Sequence, residues 1–371
     1  MFLIVEESFD AWTLDERYSA LHLADETKAL GREGVLLDRF VSAANGTMGS
    51  FAAIVTGLAD AGVYTNYQAS ARAPYPSSIA PLFRSLGYRT RMFYGGYLSW
   101  QRIGDFCRDQ GFDEVYGAAH ISSWSATNEW GARDEDLFAF VERSVPDDVP
   151  SFDVVLTTSN HPPYDVDVWA KGWPVKEIPS GMEEGFEAGD VTLREIGHHA
   201  YADQEMGRFV RGASKRLGGA LFAVTGDHFS RKFPGATPTL YQRTAVPLLL
   251  YGPSVLTGVA PSDERFGSHL DIVPTLVGFA APKDFEYHAI GHDLLDSGRN
   301  LVGCGPGSRV ITADWIADLR EPPIWEALPG ARSGSPPDLA TTKAARGAAL
   351  GLSWWRILRG SAFATPGIAR L

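Results

Sequence analysis

Short apolar runs alternate with segments of helical period along most of this chain. FLIV (2–5) reads as a buried strand that ends on two glutamates. VLLDRFVS (35–42), FDVVLTTSNHPPY (152–164), ALFAVTGDH (220–228) and AVPLLLYG (245–252) read as further strands. Between them lie helical signals. DERYSALHLADETKALGREG (15–34) reads as one helix closed by glycine. In AANGTMGSFAAIVTGL (43–58) a loop enters a helix, with Phe51, Ile54, Val55 and Leu58 at i, i+3, i+4 and i+7. SIAPLFRSLGYRTRMFYGG (78–96) reads as helix, glycine stop and strand, and HHAYADQEMGRFVRGASKRLGG (198–219) as a helix. SHLDIVPTLVGF (268–279) reads as a helix with Asp271 as N-cap and Pro274 in its early turns. This alternation runs through about residue 280 and predicts an α/β fold, a doubly wound, mainly parallel sheet flanked by helices. In such sheets functional groups gather beyond the carboxyl ends of strands. Glu7, His161, Asp227 and His228 all follow apolar strand-like runs.

The character changes near residue 325. EALPGARSGSPPDLATTK is rich in Pro, Gly and Ser, as linkers are. AARGAALGLSWWRILRG then sets Arg346, Arg356 and Arg359, with Lys343 just before, among Leu350, Leu352, Trp354, Trp355, Ile357 and Leu358. The arginines interrupt it too often for a spanning helix. Two readings stay open, a segment lying in a membrane interface and a poorly ordered tail. The expected organisation is a main domain over 1–325 and a C-terminal extension over 326–371, made of a Pro/Gly-rich linker and a basic, Trp-containing tail.

Composition narrows the class. The chain has 371 residues, 44% of them hydrophobic, enough for a large core. A net charge of −12 argues against a general nucleic-acid binder. It also means that any site handling phosphate must draw positive charge from Arg, Lys or a metal ion. Two cysteines, Cys107 and Cys304, exclude a disulfide-dense scaffold and leave a single bridge open. MFLIVEESFD enters a strand directly and reads neither as a signal peptide nor as a spanning helix. The expectation is either a cytosolic protein or further segments preceding this one.

Each candidate for chemistry has a plain alternative. Asp227 and His228 offer a carboxylate and an imidazole from one turn, as a hard divalent cation requires, or they decorate a surface. Glu7 is a second oxygen donor or a solvated strand end, with Glu6 pointing the other way if strand alternation continues. Thr47 starts a helix, where the free N–H groups hold anions. It is a nucleophile activated by a nearby cation, or an N-cap. His161, beside Pro162 and Pro163, can donate to a phosphoryl or leaving oxygen, or is a surface histidine. Arg102 and Trp100 offer a planar fork for phosphate and a surface for an apolar or glycerol-like group, or they are an ordinary surface arginine and core tryptophan. His198 and His199 read as surface residues at a helix start, and His269 as a distant metal candidate.

Taken in order, EESF, GTMGS, YLSWQR, SNHPPY, YADQEMGRF, GDH, VPLLLYGP and SHLDIVPTL resemble the extracellular catalytic domain of lipoteichoic acid synthases. More broadly they resemble the sulfatase-like, phosphoglycerol transferase branch of the alkaline phosphatase superfamily. The resemblance covers roughly residues 2 to 280 and rests on the ordered set, not on any single motif. It implies an alkaline phosphatase/sulfatase-like fold and one divalent cation, usually manganese in that family, with magnesium and zinc as alternatives. It implies Glu7, Thr47, Asp227 and His228 as the ligands, Thr47 as the nucleophile, and Arg102, Trp100 and His161 as contacts to glycerol phosphate. Asp203 in YADQEMGRF falls on a family helix in a structural role. The chain departs from the family pattern at Tyr94, where a histidine is frequent, and at Gln101, where an asparagine is frequent.

The implied reaction is phosphoglycerol transfer through a phosphothreonine. The donor is a lipid-headgroup or other phosphoester and the acceptor an alcohol, at the extracytoplasmic face of the cell membrane. No nucleic acid is involved; contact of the tail with the membrane surface belongs to the interfacial reading of its own sequence, outside the resemblance. Water as acceptor would make the protein a phosphodiesterase or phosphatase. A sulfatase would need a Cys or Ser in a C/S-x-P-x-R setting, which GTMGS lacks. A phosphoethanolamine transferase usually carries several disulfides, more than two cysteines allow. An inactive homologue that binds a polyanionic glycan or headgroup is the alternative from another class.

Overall fold

The computed structural model of the chain describes residues 1–121, 128–259, 265–296, 302–332 and 334–361. β1 (Phe2–Glu6) leads through 3-10 turns at Ala11–Leu14 and Glu16–Leu21 to α1 (Asp25–Glu33), β2 (Val35–Leu37), β3 (Phe40–Val41) and α2 (Thr47–Thr56). Two more 3-10 turns, Thr65–Tyr67 and Ala69–Arg72, precede α3 (Ile79–Ser85) and β4 (Arg89–Tyr94). The turn Trp100–Arg102 opens α4 (Ile103–Asp109), followed by β5 (Glu114–Tyr116), α5 (Ala118–Ile121), α6 (Asp134–Ser144) and β6 (Ser151–Leu156). Then come α7 (Glu183–Ala188), α8 (Leu193–Leu217), β7 (Phe222–Gly226), β8 (Leu248–Tyr251), β9 (Gly267–Ser268) and α9 (His269–Ala280). The chain continues through β10 (Gly303–Cys304), β11 (Arg309–Ile311), β12 (Trp315–Asp318), β13 (Ile324–Ala327) and α10 (Leu339–Arg359).

The main sheet has the order β2-β8-β7-β1-β6-β4-β5. β1 pairs in parallel with both β6 and β7, and β4 with β5 and β6, while β8 runs antiparallel to its two neighbours. The expected α/β class is therefore present, with one reversed strand. Helices cover both faces. Phe2 and Ile4 pack with Leu137 and Val141 of α6 and Met206 and Val210 of α8. Leu3 and Val5 pack with Phe51 and Ile54 of α2, Phe83 of α3 and Leu276 of α9. Burial on both faces explains why these strands read as continuous apolar runs. Each fully buried Leu, Ile or Phe contributes about 1.5–3 kcal/mol of transfer free energy.

Several expectations are corrected. The segment 15–34 is not one helix. His22 takes a left-handed conformation, and α1 restarts at Asp25, where the Asp203 carboxylate from α8 accepts the Glu26 and Thr27 N–H groups at 2.7 and 2.9 Å. That is a capping role for Asp203. The strand expected over 35–42 splits into β2 and β3. Ser268, not Asp271, is the N-cap of α9; Asp271 sits at N3 and completes a capping box. Cys107 and Cys304 are free and buried. Residues 303–327 form a four-stranded antiparallel sheet, β10-β11-β12-β13, which the sequence reading did not foresee. β13 crosses the boundary expected between 325 and 326, and α10 fills much of the extension; residues 362–371 lie outside the described residues.

Candidate active site

The carboxyl ends of β7, β1 and β6 lie side by side, which brings three loops distant in sequence to one place. Just beyond β1, the Glu7 N–H donates to Thr157 Oγ1 at 2.9 Å. Ser8 adopts φ 56°, the left-handed region, and turns its N–H onto Asp227 Oδ1 at 2.7 Å. The His228 N–H reaches the same oxygen at 2.7 Å. Asp227 Oδ1 is thus doubly satisfied, whereas Oδ2 is buried with no hydrogen-bond partner among the described residues. Gly226 is required here, because a Cβ at that position would lie 2.0 Å from the Phe9 carbonyl oxygen.

Thr47 is the first residue of α2, and Gly46 occupies the N-cap position. The threonine hydroxyl therefore does not cap the helix. It donates to Glu7 Oε2 at 3.2 Å and lies 3.2 Å from His228 Nε2. His228 Nδ1 lies 2.9 Å from the Phe229 carbonyl oxygen, which orients the ring and turns Nε2 toward the floor. Nε2 is 3.5 Å from Asp227 Oδ2 and 3.8 Å from Glu7 Oε1. One donor atom from each of Glu7, Asp227 and His228 falls within 4.8 Å of the others. The four residues singled out by sequence meet at one place.

Electrostatics there are lopsided. Burial, then repulsion from Asp227, raises the Glu7 carboxyl well above its usual range, against the pull of His228, Ser8 and Thr47. Burial opposes charge on His228, but Asp227 and Glu7 outweigh it and raise its pKa. Two carboxyl groups are crowded there, and among the described residues no Lys or Arg is paired with either. A divalent cation fits this donor set: two carboxylates, one imidazole Nε2 and a hydroxyl, with an orphaned buried oxygen aimed into the cluster.

Other buried groups hold the loops in place. His269 Nδ1 accepts the Ala43 N–H at 3.2 Å and Nε2 lies 2.9 Å from the Gly226 carbonyl oxygen. Both nitrogens are used on backbone, so His269 is a tie between the Thr47 loop and the end of β7 rather than a ligand. His198 and His199 are buried, not surface residues as expected. α8 begins five residues before His198 and turns that face inward, where Val166 N–H reaches His198 Nε2 at 3.2 Å. Asn160 Nδ2 contacts His199 Nδ1 and donates to the Ser8 carbonyl, each at 3.1 Å. Glu6 does point away from the site, but into the interior. Neither of its carboxyl oxygens has a hydrogen-bond partner among the described residues, and burial, then Asp203 and Asp134, raises its pKa.

Above the floor opens a cavity of about 700 Å³. Glu7, Thr47 and His228 line its base, and Trp100 and His161 line its walls. The His161 ring packs 4.0 Å from Trp130, with Nδ1 2.7 Å from the Pro162 carbonyl oxygen. Arg102 is not among the lining residues. Its neighbour Gln101 and Arg102 itself take left-handed conformations, and the guanidinium donates to the Asn66 carbonyl at 2.9 Å. Arg231 and Lys232 line the cavity instead. Arg231 is held by a 2.6 Å bond to the Asn45 carbonyl and Lys232 by a 2.5 Å pair with Glu195. Both stand within five residues of Asp227, and the need of an acidic chain for local positive charge was the signal that could have found them.

A mainly parallel sheet with this cluster beyond its central strands is an alkaline phosphatase-like architecture. The sulfatase family model matches residues 1–281, and the chain belongs to the sulfatase family. Among solved structures, the lipoteichoic acid synthase LtaP from Listeria monocytogenes matches with a TM-score of 0.77 at 18% identity, over 96% of this chain and 91% of that one. A protein of the alkaline phosphatase superfamily from Vibrio parahaemolyticus matches with a TM-score of 0.72 at 21% identity, over 96% and 86%. The Streptococcus pyogenes phosphoglycerol transferase GacH, in complex with sn-glycerol-1-phosphate, matches with a TM-score of 0.54 at 13% identity, over 75% and 74%.

Proposed function

We propose that this chain is a metal-dependent phosphoryl transferase that moves a phosphoglycerol or related group through a covalent phosphothreonine at Thr47. The observation that carries this reading is the Thr47 hydroxyl, 3.2 Å from both Glu7 Oε2 and His228 Nε2 at the base of an open cavity. Glu7, Thr47, Asp227 and His228 would hold one divalent cation, manganese by family resemblance. The chemistry such an ion supplies is a lowered pKa for the threonine hydroxyl and neutralisation of a phosphoryl oxygen.

The chain's own groups do the rest. Thr47 passes its proton to Glu7 Oε2, which already accepts its hydrogen bond, and its oxygen attacks phosphorus in line, while the bond from phosphorus to the leaving alcohol breaks. His161 gives a proton to the departing oxygen. The amino end of α2, Arg231 and Lys232 stabilise charge on the phosphoryl oxygens. Arg102 acts through the wall it forms with Asn66. Trp100 packs against the glycerol. An alcohol then gives its proton to His161 and attacks phosphorus, and the Thr47 oxygen leaves and takes its proton back from Glu7, which restores the enzyme. With water as acceptor the same site is a phosphodiesterase.

The donor class is a phosphoester, a lipid headgroup by family resemblance, and the site of action the extracytoplasmic face of the membrane. GTMGS has Thr47 where sulfatase chemistry needs a Cys or Ser, and it lacks the Pro and Arg of the C/S-x-P-x-R setting, which favours phosphorus over sulfur. The test is intact-mass analysis after incubation with phosphatidylglycerol or a glycerol phosphate ester and Mn²⁺. A phosphoglycerol adduct mapped to the Thr47 peptide is expected. Turnover that persists in Thr47→Ala would remove the covalent route.

A further inference from the structure

α10 is anchored along one side only. Thr342, Ser353 and Ile357 are buried. Ser353 Oγ accepts the Ala59 N–H at 2.9 Å, and Ser70 Oγ and Tyr75 Oη both donate to the Ile357 carbonyl. Ser353 and Ile357 are four residues apart, so the opposite side of the last two turns faces outward. On it Leu352, Trp354, Trp355 and Leu358 are 49%, 50%, 37% and 40% exposed. The Arg356 guanidinium lies 4.9 Å over the Trp355 ring, and Arg359 is exposed. From 339 to 361 the sequence contains no Asp or Glu, although the chain as a whole carries −12.

A surface that is apolar and cationic on an acidic protein suits a partner that is anionic outside and apolar beneath. Arginines alone would fit any acidic surface, but exposed indoles beside them favour the boundary between headgroups and acyl chains. No described helix is long and apolar enough to cross a membrane, so α10 would lie flat. We propose that the outer face of the last two turns of α10 docks on an anionic lipid bilayer. The helix is one hydrogen bond from Ala59, which with Leu58, Val63 and Tyr64 lines the apolar wall of the cavity. Docking would thus set that wall beside the lipid. The binding itself does not depend on the reaction proposed above.

The test is cosedimentation of the full chain with vesicles of phosphatidylcholine alone or with one part phosphatidylglycerol to two parts phosphatidylcholine. Partition onto the anionic vesicles should exceed that onto neutral ones by about tenfold and fall with added salt. The double variant Trp354→Ser/Trp355→Ser should lose about tenfold on anionic vesicles. Arg356→Gln/Arg359→Gln should lose a similar factor there and nothing on neutral vesicles. Unchanged thermal unfolding of the arginine pair keeps the test valid should the tryptophan variant unfold. Absence of binding by the parent chain, or binding by both variants as tight as the parent's on anionic vesicles, overturns the proposal. So does loss of a homodimer in the tryptophan variant with vesicle binding unchanged, which would make this face a contact between copies.

Discussion

The cavity floor and the outer face of α10 both break the ordinary rules of burial, in opposite directions. At the floor, Glu7, Asp227 and His228 are buried together, and one carboxylate oxygen has no hydrogen-bond partner among the described residues. On α10, indole rings stand in water beside arginines. Crowded buried carboxylates weaken folding unless something neutralises them, and exposed apolar rings gain nothing in solution. Each departure therefore points outward, to a component the chain does not itself contain. The floor asks for a small hard cation, and the helix for an extended apolar and anionic surface.

The comparison is broken most severely by Thr47→Ala. Phosphoryl transfer should fall by about 10³-fold or more, with thermal unfolding little changed, because the hydroxyl is not a helix cap. A steady-state assay on a phosphodiester beside a melting curve checks both halves. Next comes Asp227→Asn. In the parent chain Mn²⁺ at a hundred times its Kd should stabilise by about 2.7 kcal/mol. The variant should lose that gain, yet without metal it should be at least as stable as the parent, since one of two crowded carboxylates is gone. Thermal shifts with and without MnCl₂ read this directly.

Burial elsewhere should behave differently. His199 is pulled down to about 3 by burial, then by His198. Between about pH 6.5 and 3 the unfolded chain binds a proton that the folded chain does not. Its contribution is therefore intact above about 6.5 and lost as pH falls, about 2 kcal/mol by pH 5. His199→Gln should accordingly lose less stability between pH 7 and 5 than the parent, as measured by denaturant unfolding. The smallest effect expected is on the cavity wall. Arg231→Gln should raise KM by about tenfold, and Arg102→Gln by less, because its guanidinium is spent on Asn66. The reverse order would put Arg102 on the substrate.

Much of this was legible in the sequence, for a physical reason. Strands buried on both faces leave uninterrupted apolar runs, and in a parallel sheet their polar ends share one edge, so Glu7, Asp227 and His228 could be grouped before any coordinates. Thr47 was legible as a helix start but not as a hydroxyl turned away from the cap, since that depends on Glu7 forty residues earlier. Tertiary partners hid the rest. Asp203 restarts α1 from 176 residues away, α8 begins early enough to bury His198 and His199, and Ser8 turns left-handed to serve Asp227. The reversal of β8 leaves no mark on an apolar run, because both faces of the strand are buried whichever way it points. Arg231 and Lys232 stood in plain view beside the Asp-His pair, and only the cavity shows what they face.

The most direct measurement is a crystal structure with Mn²⁺, the ion located by its anomalous scattering. The account expects one strong peak per chain, in contact with Glu7, Thr47, Asp227 and His228 together. A peak held by other residues, or none at this cluster in the presence of saturating Mn²⁺, would contradict it.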